Sequence, residues 1–152
     1  MRRHDKEIST RKAIDAVIEK ARVCRLAMVD GDRPYLVPLC FGYRDNTLYF
    51  HSAAEGRKIS ALRENPAVCF EFETDVDVKR NDKPCKWGMK FKSVVGFGTV
   101  EFIDEPTDKQ QALDIIMNQY GSTDRFDYQE AALDKTAVFR VTIESISGKQ
   151  ST

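Results

Sequence analysis

Apolar residues recur at two different periods along this chain, and the two periods separate strands from helices. Ala13, Ile14, Val17, Ile18 and Ala21 recur at helical spacing, which predicts a helix over Thr10–Ala21 with Ser9 as its cap. Cys24–Val29 then reads as a strand, Asp30-Gly31-Asp32 as a turn and Tyr35–Tyr43 as the returning strand. Pro38 cannot donate to a sheet ladder, so it predicts an edge, a bulge or a bend at that point. A turn over Arg44–Thr47 leads into the strand Leu48–Phe50. A short loop with His51, Ser52 and Gly56 follows, then a helix from Arg57 to about Asn65, closed by Pro66.

The second half repeats the alternation. In Ala67–Glu73, Val68, Phe70 and Phe72 share one face and Cys69, Glu71 and Glu73 the other. Thr74–Gly88 is polar and reads as the longest loop, with Trp87 at its end as a packing or a ligand-stacking residue. Phe91–Ile103 is the longest strand, and Gly96 and Gly98 inside it mark a bend, a bulge or the close approach of another backbone. Asp104-Glu105-Pro106-Thr107 opens a helix with Ala112, Leu113, Ile116, Met117 and Tyr120 as its stripe and Gly121 as its end. A helical turn over Tyr128–Leu133, a strand over Val138–Ile146 and a polar tail, Ser147–Thr152, complete the pattern. About six strands with helices at the ends and crossovers predict a mainly β fold. That is a barrel with peripheral helices or a two-layer α+β sheet.

A chain of 152 residues fits one domain over 1–152. Its 24 basic and 24 acidic residues balance, so no global field favours nucleic acid or an anionic membrane as partner. No apolar run is long enough to span a bilayer, and no hydrophobic segment follows the charged start Met1–Glu7. A cytoplasmic location is the expectation. Cys24, Cys40, Cys69 and Cys85 form no C-x-x-C pair and only His4 and His51 accompany them, so no metal site is expected. Three of the four cysteines fall in strand patterns and read as small core residues of a reducing compartment.

The chemistry concentrates in Leu48–Leu62. Free N–H groups at a helix start, the Ser52 hydroxyl and the cations Arg57 and Lys58 together suit a phosphate. The same residues also suit an ordinary strand-to-helix turn with a solvated basic pair.

Several segments, in this order and spacing, resemble one family. They are Met1-Arg2-Arg3 with Asp5 and Glu7-Ile8, the P-x-x-x-P and F-G-Y of Pro34–Tyr43, the H-S-A-x-x-G-R-K of Leu48–Pro66, Lys92–Glu101, and Ser145–Lys149. They resemble the FMN-binding split-barrel proteins related to pyridoxamine 5′-phosphate oxidase, and within them the 5-nitroimidazole-resistance (Nim) group. The resemblance implies a six-stranded split β-barrel with peripheral helices, working as a homodimer with flavin sites at the interface. By similarity, Val37, Pro38, Leu39, Cys40 and Phe41 run beside the flavin ring, and Phe50, His51 and Ser52 contact its ribityl and phosphate side. Arg57 and Lys58 hold the phosphate, and Ser93 reaches the flavin from the long strand. His51 is also the candidate catalytic residue. Its ordinary pKa of about 6.5 suits proton supply near neutral pH.

The implied activity is FMN-dependent reduction of a small acceptor such as a nitroimidazole or other nitroaromatic, with NAD(P)H as donor. The alternatives are a flavin-binding or sequestering protein without turnover, and a split barrel that uses haem or a deazaflavin. The C-terminal strand carries Phe139 and Arg140 but lacks the Trp that pyridoxamine phosphate oxidases place there. Vitamin B6 oxidation is therefore not implied, and Trp87 with its loop is a candidate flavin cover.

Overall fold

The computed structural model describes residues 3–124 and 126–152. Met1 and Arg2, the first part of the N-terminal resemblance, lie outside the described residues. The elements run β1 (Glu7–Ile8), α1 (Arg11–Lys20), β2 (Cys24–Asp30), β3 (Arg33–Leu39), β4 (Gly42–Arg44), β5 (Thr47–Ala53) and α2 (Arg57–Glu64). They continue as β6 (Ala67–Lys79), β7 (Gly88–Ile103), α3 (Pro106–Gln119), α4 (Glu130–Asp134) and β8 (Thr136–Ser151).

One antiparallel sheet holds all the strands, in the order β3-β2-β6-β7-β8-β5-β4, with β1 added against β8. β3 and β4 therefore lie at opposite ends of the sheet, yet only Cys40 and Phe41 separate them in the chain. So short a link forces the sheet to curl until its ends approach. β3 and β4 do not pair among the described residues, so the barrel stays split. β2, β3, β5, β6, β7 and β8 are the six strands of seven residues or more, and β1 and β4 are short additions.

The inward positions of these strands fill the barrel. Phe41, Phe50, Phe70, Phe72 and Phe139 are fully buried, with ring centroids 4.8 Å apart for Phe41 and Phe72. β7 passes so close to its neighbours that a Cβ at Gly98 would lie 2.3 Å from the Thr142 carbonyl oxygen. Of the expected alternatives, both glycines serve close approach, for a Cβ at Gly96 would meet the Phe70 ring at the same distance, and the ladder to β8 shifts register between Phe97 and Gly98.

Several predicted elements shift. Thr10, not Ser9, caps α1, because its Oγ1 accepts the Ala13 N–H at 3.3 Å. The stretch Tyr35–Tyr43 is not one strand: it breaks at Cys40-Phe41, where the chain crosses from one sheet edge to the other. His51 and Ser52 lie on β5 rather than in a loop, since β5 stays paired with β8 as far as Ala53. Most of Thr74–Gly88 is not loop. β6 and β7 continue past a bulge between Thr74 and Asp77 and pair again at Asp77–Lys90, Val78–Met89 and Lys79–Gly88, forming a projecting arm. Asp75 sits at the base of the arm in the left-handed region (φ 57°), its carboxylate bound by Lys20 and Lys92. The polar tail is strand as well, paired with β7 and, at Gly148 and Lys149, with β1. On α3 the buried stripe is Ala112, Ile115 and Ile116, while Met117 is exposed. Of the three cysteines read as core, only Cys24 is fully buried; Cys69 faces outward from β6 and Cys40 is exposed in the chain break.

Candidate flavin site

α2 starts without a side-chain cap. Gly56 holds the cap position at φ 121°, a conformation that disfavours any residue with a Cβ. The first N–H groups of α2 have no partner inside the helix, and their dipoles favour an anion there. Arg57 and Lys58 stand on this first turn. Arg57 Nε donates to Asp30 Oδ2 at 2.6 Å, and the guanidinium stacks 4.3 Å over the Tyr35 ring. Its two Nη groups make no hydrogen bond among the described residues, so a fixed fork of donors faces outward. Lys58 is half-buried, and burial lowers its pKa. No carboxylate pairs with Lys58 among the described residues, so its charge is only partly compensated.

His51 lies next to this cation. Burial first, and the Lys58 charge second, hold its imidazole below the usual histidine range. The sign follows from linkage. The folded state favours neutral His51, so its contribution to stability is complete above about pH 6.5 and is lost as pH falls through the depressed pKa. Changing Lys58→Gln should raise the His51 titration midpoint, read from the imidazole NMR shifts. An unmoved midpoint would show that Lys58 does not act on His51.

β3 leads away from Arg57, starting beside Tyr35. The turn closes at Asp30–Arg33, so the alternation of an antiparallel ladder turns the backbone groups of Pro34, Leu36 and Pro38 to the open edge. The two prolines have no N–H, which leaves Leu36 as donor and three carbonyls as acceptors. Open-edge prolines also oppose uncontrolled strand addition. Val37 and Leu39, expected to offer backbone groups, instead turn them toward β2 in this register. The Phe41 N–H is taken by Tyr120 Oη at 3.1 Å, and Tyr120 in turn donates to the Arg22 carbonyl at 2.9 Å.

The fold thus brings His51, Lys58 and Arg57 together at the start of α2, with Val37, Pro38, Leu39 and Cys40 trailing off along β3. Ser52 follows His51 on β5, half-buried opposite Ala137, and alternation turns its side chain to the face opposite His51. Phe41 and Phe50 are neighbours, but their rings belong to the core. Ser93 is not brought to His51: His51 pairs with Val138, and Val138 with Ile103, whereas Ser93 stands about 33 Å further along β7 at ~3.3 Å per residue. It stands instead two residues from Val95, where the cross-strand row Pro38–Arg25–Glu71–Val95 ends, three strands away from β3. Asp30 and Tyr35, which fix Arg57, had no signal in the sequence beyond a turn and a strand. Cavities of about 540 and 470 Å³ lie elsewhere, along α3, with Arg44 and Asp114 on the first and Glu101 and Arg140 on the second. Neither includes Arg57, Lys58, His51 or β3. The candidate site is one open wall rather than an enclosed pocket.

The sequence model of the family described as pyridoxamine 5′-phosphate oxidase matches residues 10–150. The chain belongs to this family. A candidate 5-nitroimidazole antibiotic resistance protein from Bacteroides thetaiotaomicron VPI-5482 is 35% identical, with a TM-score of 0.84 over 94% of this chain and 85% of that one. An FAD-binding protein from Mesorhizobium loti is 27% identical, with a TM-score of 0.69 over 94% of this chain and 96% of that one. Among curated proteins, an uncharacterized protein of Rhizobium meliloti (strain 1021) is 33% identical over 65 residues. That stretch is 43% of this chain and 42% of the relative's length. The pyridoxamine 5′-phosphate oxidase family is one of flavin-binding split barrels, and the barrel described above has its architecture. No helix among the described residues is long and apolar enough to cross a membrane.

Proposed function

We propose that this protein binds FMN in a homodimer and passes electrons from NAD(P)H to a small acceptor of the nitroaromatic kind. The observation that carries the reading is the start of α2. Among the described residues Lys58 is a half-buried cation without a carboxylate, next in the chain to Arg57, whose Nη groups are free there, at an uncapped helix N-terminus. Those groups suit the doubly charged phosphate of FMN, which would restore the charge balance that burial denies Lys58. The open edge of β3 then supports a flat ring that offers both acceptors and donors, through the Leu36 N–H and the Pro38 carbonyl. Flavin supplies the hydride and electron chemistry; the protein supplies binding, orientation and electrostatics. His51, whose pKa is lowered by burial and by the Lys58 charge, lies beside that cation and is placed to exchange protons with a bound acceptor.

Two features support the dimer. The candidate site has a single wall, and the outer face of the sheet exposes Leu36, Val95 and Phe97. The nitroaromatic acceptor rests on the 35% identical Bacteroides protein. The test is anaerobic turnover: FMN-loaded protein, NAD(P)H and a nitroimidazole, followed by loss of nitro absorbance. Acceptor reduction that depends on the loaded protein supports the enzyme. Tight FMN binding with no reduction by either nucleotide supports the flavin-sequestering alternative.

A further inference from the structure

The outer face of the barrel carries an apolar strip whose Leu36, Val95, Phe97 and Met89 stay exposed, while Phe91 is partly covered by Lys149. β7 turns Met89, Phe91, Ser93, Val95 and Phe97 to this side, and Phe97 is 54% exposed. Phe97 stands in one cross-strand row with Cys69, Ala27 and Leu36, and Leu36 is 55% exposed. The strip continues onto the arm, where Val78 pairs with Met89 and Trp87 is 53% exposed. From Phe97 to Trp87 it runs about 33 Å at ~3.3 Å per residue. Apolar surface this continuous marks an interaction face, and whatever covers its barrel half must also meet the arm half.

The two ends of the strip differ in charge. The arm tip carries Lys79, Arg80, Lys83 and Lys86 against one acid, Asp82. The barrel end carries the Glu101–Arg140 ion pair and Glu144, which accepts only the Thr99 hydroxyl among the described residues, so its surplus charge is the Glu144 carboxylate. A two-fold axis reverses the strip, so it sets the cationic tip of one copy on the acidic end of the other and apolar surface on apolar surface. An anionic lipid surface would suit the tip but not the acidic end.

We propose that the β6–β7 arm reaches across a second copy of this chain. Trp87 then packs against the outward row that ends at the partner's Leu36, and so walls the partner's flavin site. This rests on the homodimeric flavin reading above and adds a residue contributed in trans. Ser93 lies midway along the strip that faces the partner, on the same outward side of β7 as Val95 and Phe97.

The test is cross-linking. The pair Leu36→Cys and Trp87→Cys is placed in a background of Cys40→Ser, Cys69→Ser and Cys85→Ser, and treated with a short bis-maleimide. A covalent dimer is expected, both from the double variant and from a mixture of the two single variants. On the wild type, Trp87 is the one Trp of the chain, so its emission reports the arm alone. It should be strongly quenched on FMN loading and shift to the red on dilution to monomer. Sedimentation and the flavin spectrum of the wild type are read separately. A dimer that binds FMN while Trp87 emission ignores both FMN and dilution, with no cross-link, overturns the arm and leaves the flavin reading intact. A Trp87 emission that shifts only with phosphatidylserine vesicles makes the face a lipid surface and overturns the arm. A monomer, or a protein without flavin, overturns the reading on which the arm rests.

Discussion

The double variant Arg57→Ala, Lys58→Ala should lose about 3–6 kcal/mol of FMN affinity, since a charge-assisted contact contributes about 1.5–3 kcal/mol. That is about two to four decades in Kd, measured by titrating apo-protein with FMN and following flavin fluorescence. Two features push the loss toward the upper end. Removing Arg57 leaves Asp30 unpaired on the site's rim, where its negative charge would oppose a phosphate. Removing Lys58 takes away the cation that lacks a carboxylate among the described residues and gains most from an anion. Stability should hardly change, because the Arg57 side chain is 56% exposed and exposed ion pairs contribute about 0–1 kcal/mol. Unchanged urea midpoints with a collapsed FMN affinity would place both residues on the cofactor. A folded double variant with wild-type affinity would remove the phosphate from α2.

The largest effect on stability is expected at Phe139. Its ring is fully buried, stacked on Phe50 with centroids 5.3 Å apart and tilted against Phe102 at 5.7 Å. It therefore ties β8 to β5 on one side and to β7 on the other. Phe139→Ala should cost about 3–5 kcal/mol, through lost burial and the cavity left between three strands. For a chain of this size that is about 6–20 °C in Tm. The denaturant slope should stay as in the wild type, because the unfolded surface is nearly the same. A loss below about 1 kcal/mol would mean that Phe50 and Phe102 collapse into the gap, and that the barrel is more plastic than its packing suggests.

Much of this fold was legible in the sequence because the relevant signals are local. α2 follows from Gly56 and Pro66, which bracket it, and the inward face of β6 from Val68, Phe70 and Phe72. The arm was not legible as strand because both its faces are wet, so charged residues outnumber apolar ones from Thr74 to Gly88. Its one trace in the sequence is the alternation Asp77-Val78-Lys79, which pairs with Lys90, Met89 and Gly88. β8 was cut short for a different reason. Its inward position at Gly148 is a glycine because Ile8 approaches to 2.8 Å of where a Cβ would be, so the apolar period fades where the packing is tightest.

The site divides in the same way. Arg57 and Lys58 could be read from spacing at a helix start. Their partners could not: Asp30 and Tyr35 meet Arg57 only because the end of β2 and the start of β3 curl under α2. The backbone alternation on β3 depends on the register fixed at the Asp30–Arg33 turn, which moves the open-edge groups from Val37 and Leu39 to Leu36 and Pro38. Ser93 was placed with the flavin by resemblance alone, and within one chain it stands far along β7 from His51.

Cofactor identity is the most direct test of the central claim. Apo-protein is titrated with FMN, then with FAD and with riboflavin, and the bound flavin is released by heat and identified. Expected is saturable binding of one FMN per protomer, with riboflavin weaker by about two decades or more because it lacks the phosphate that Arg57 and Lys58 hold. Equal affinity for riboflavin and FMN, or no flavin binding at all, would contradict it.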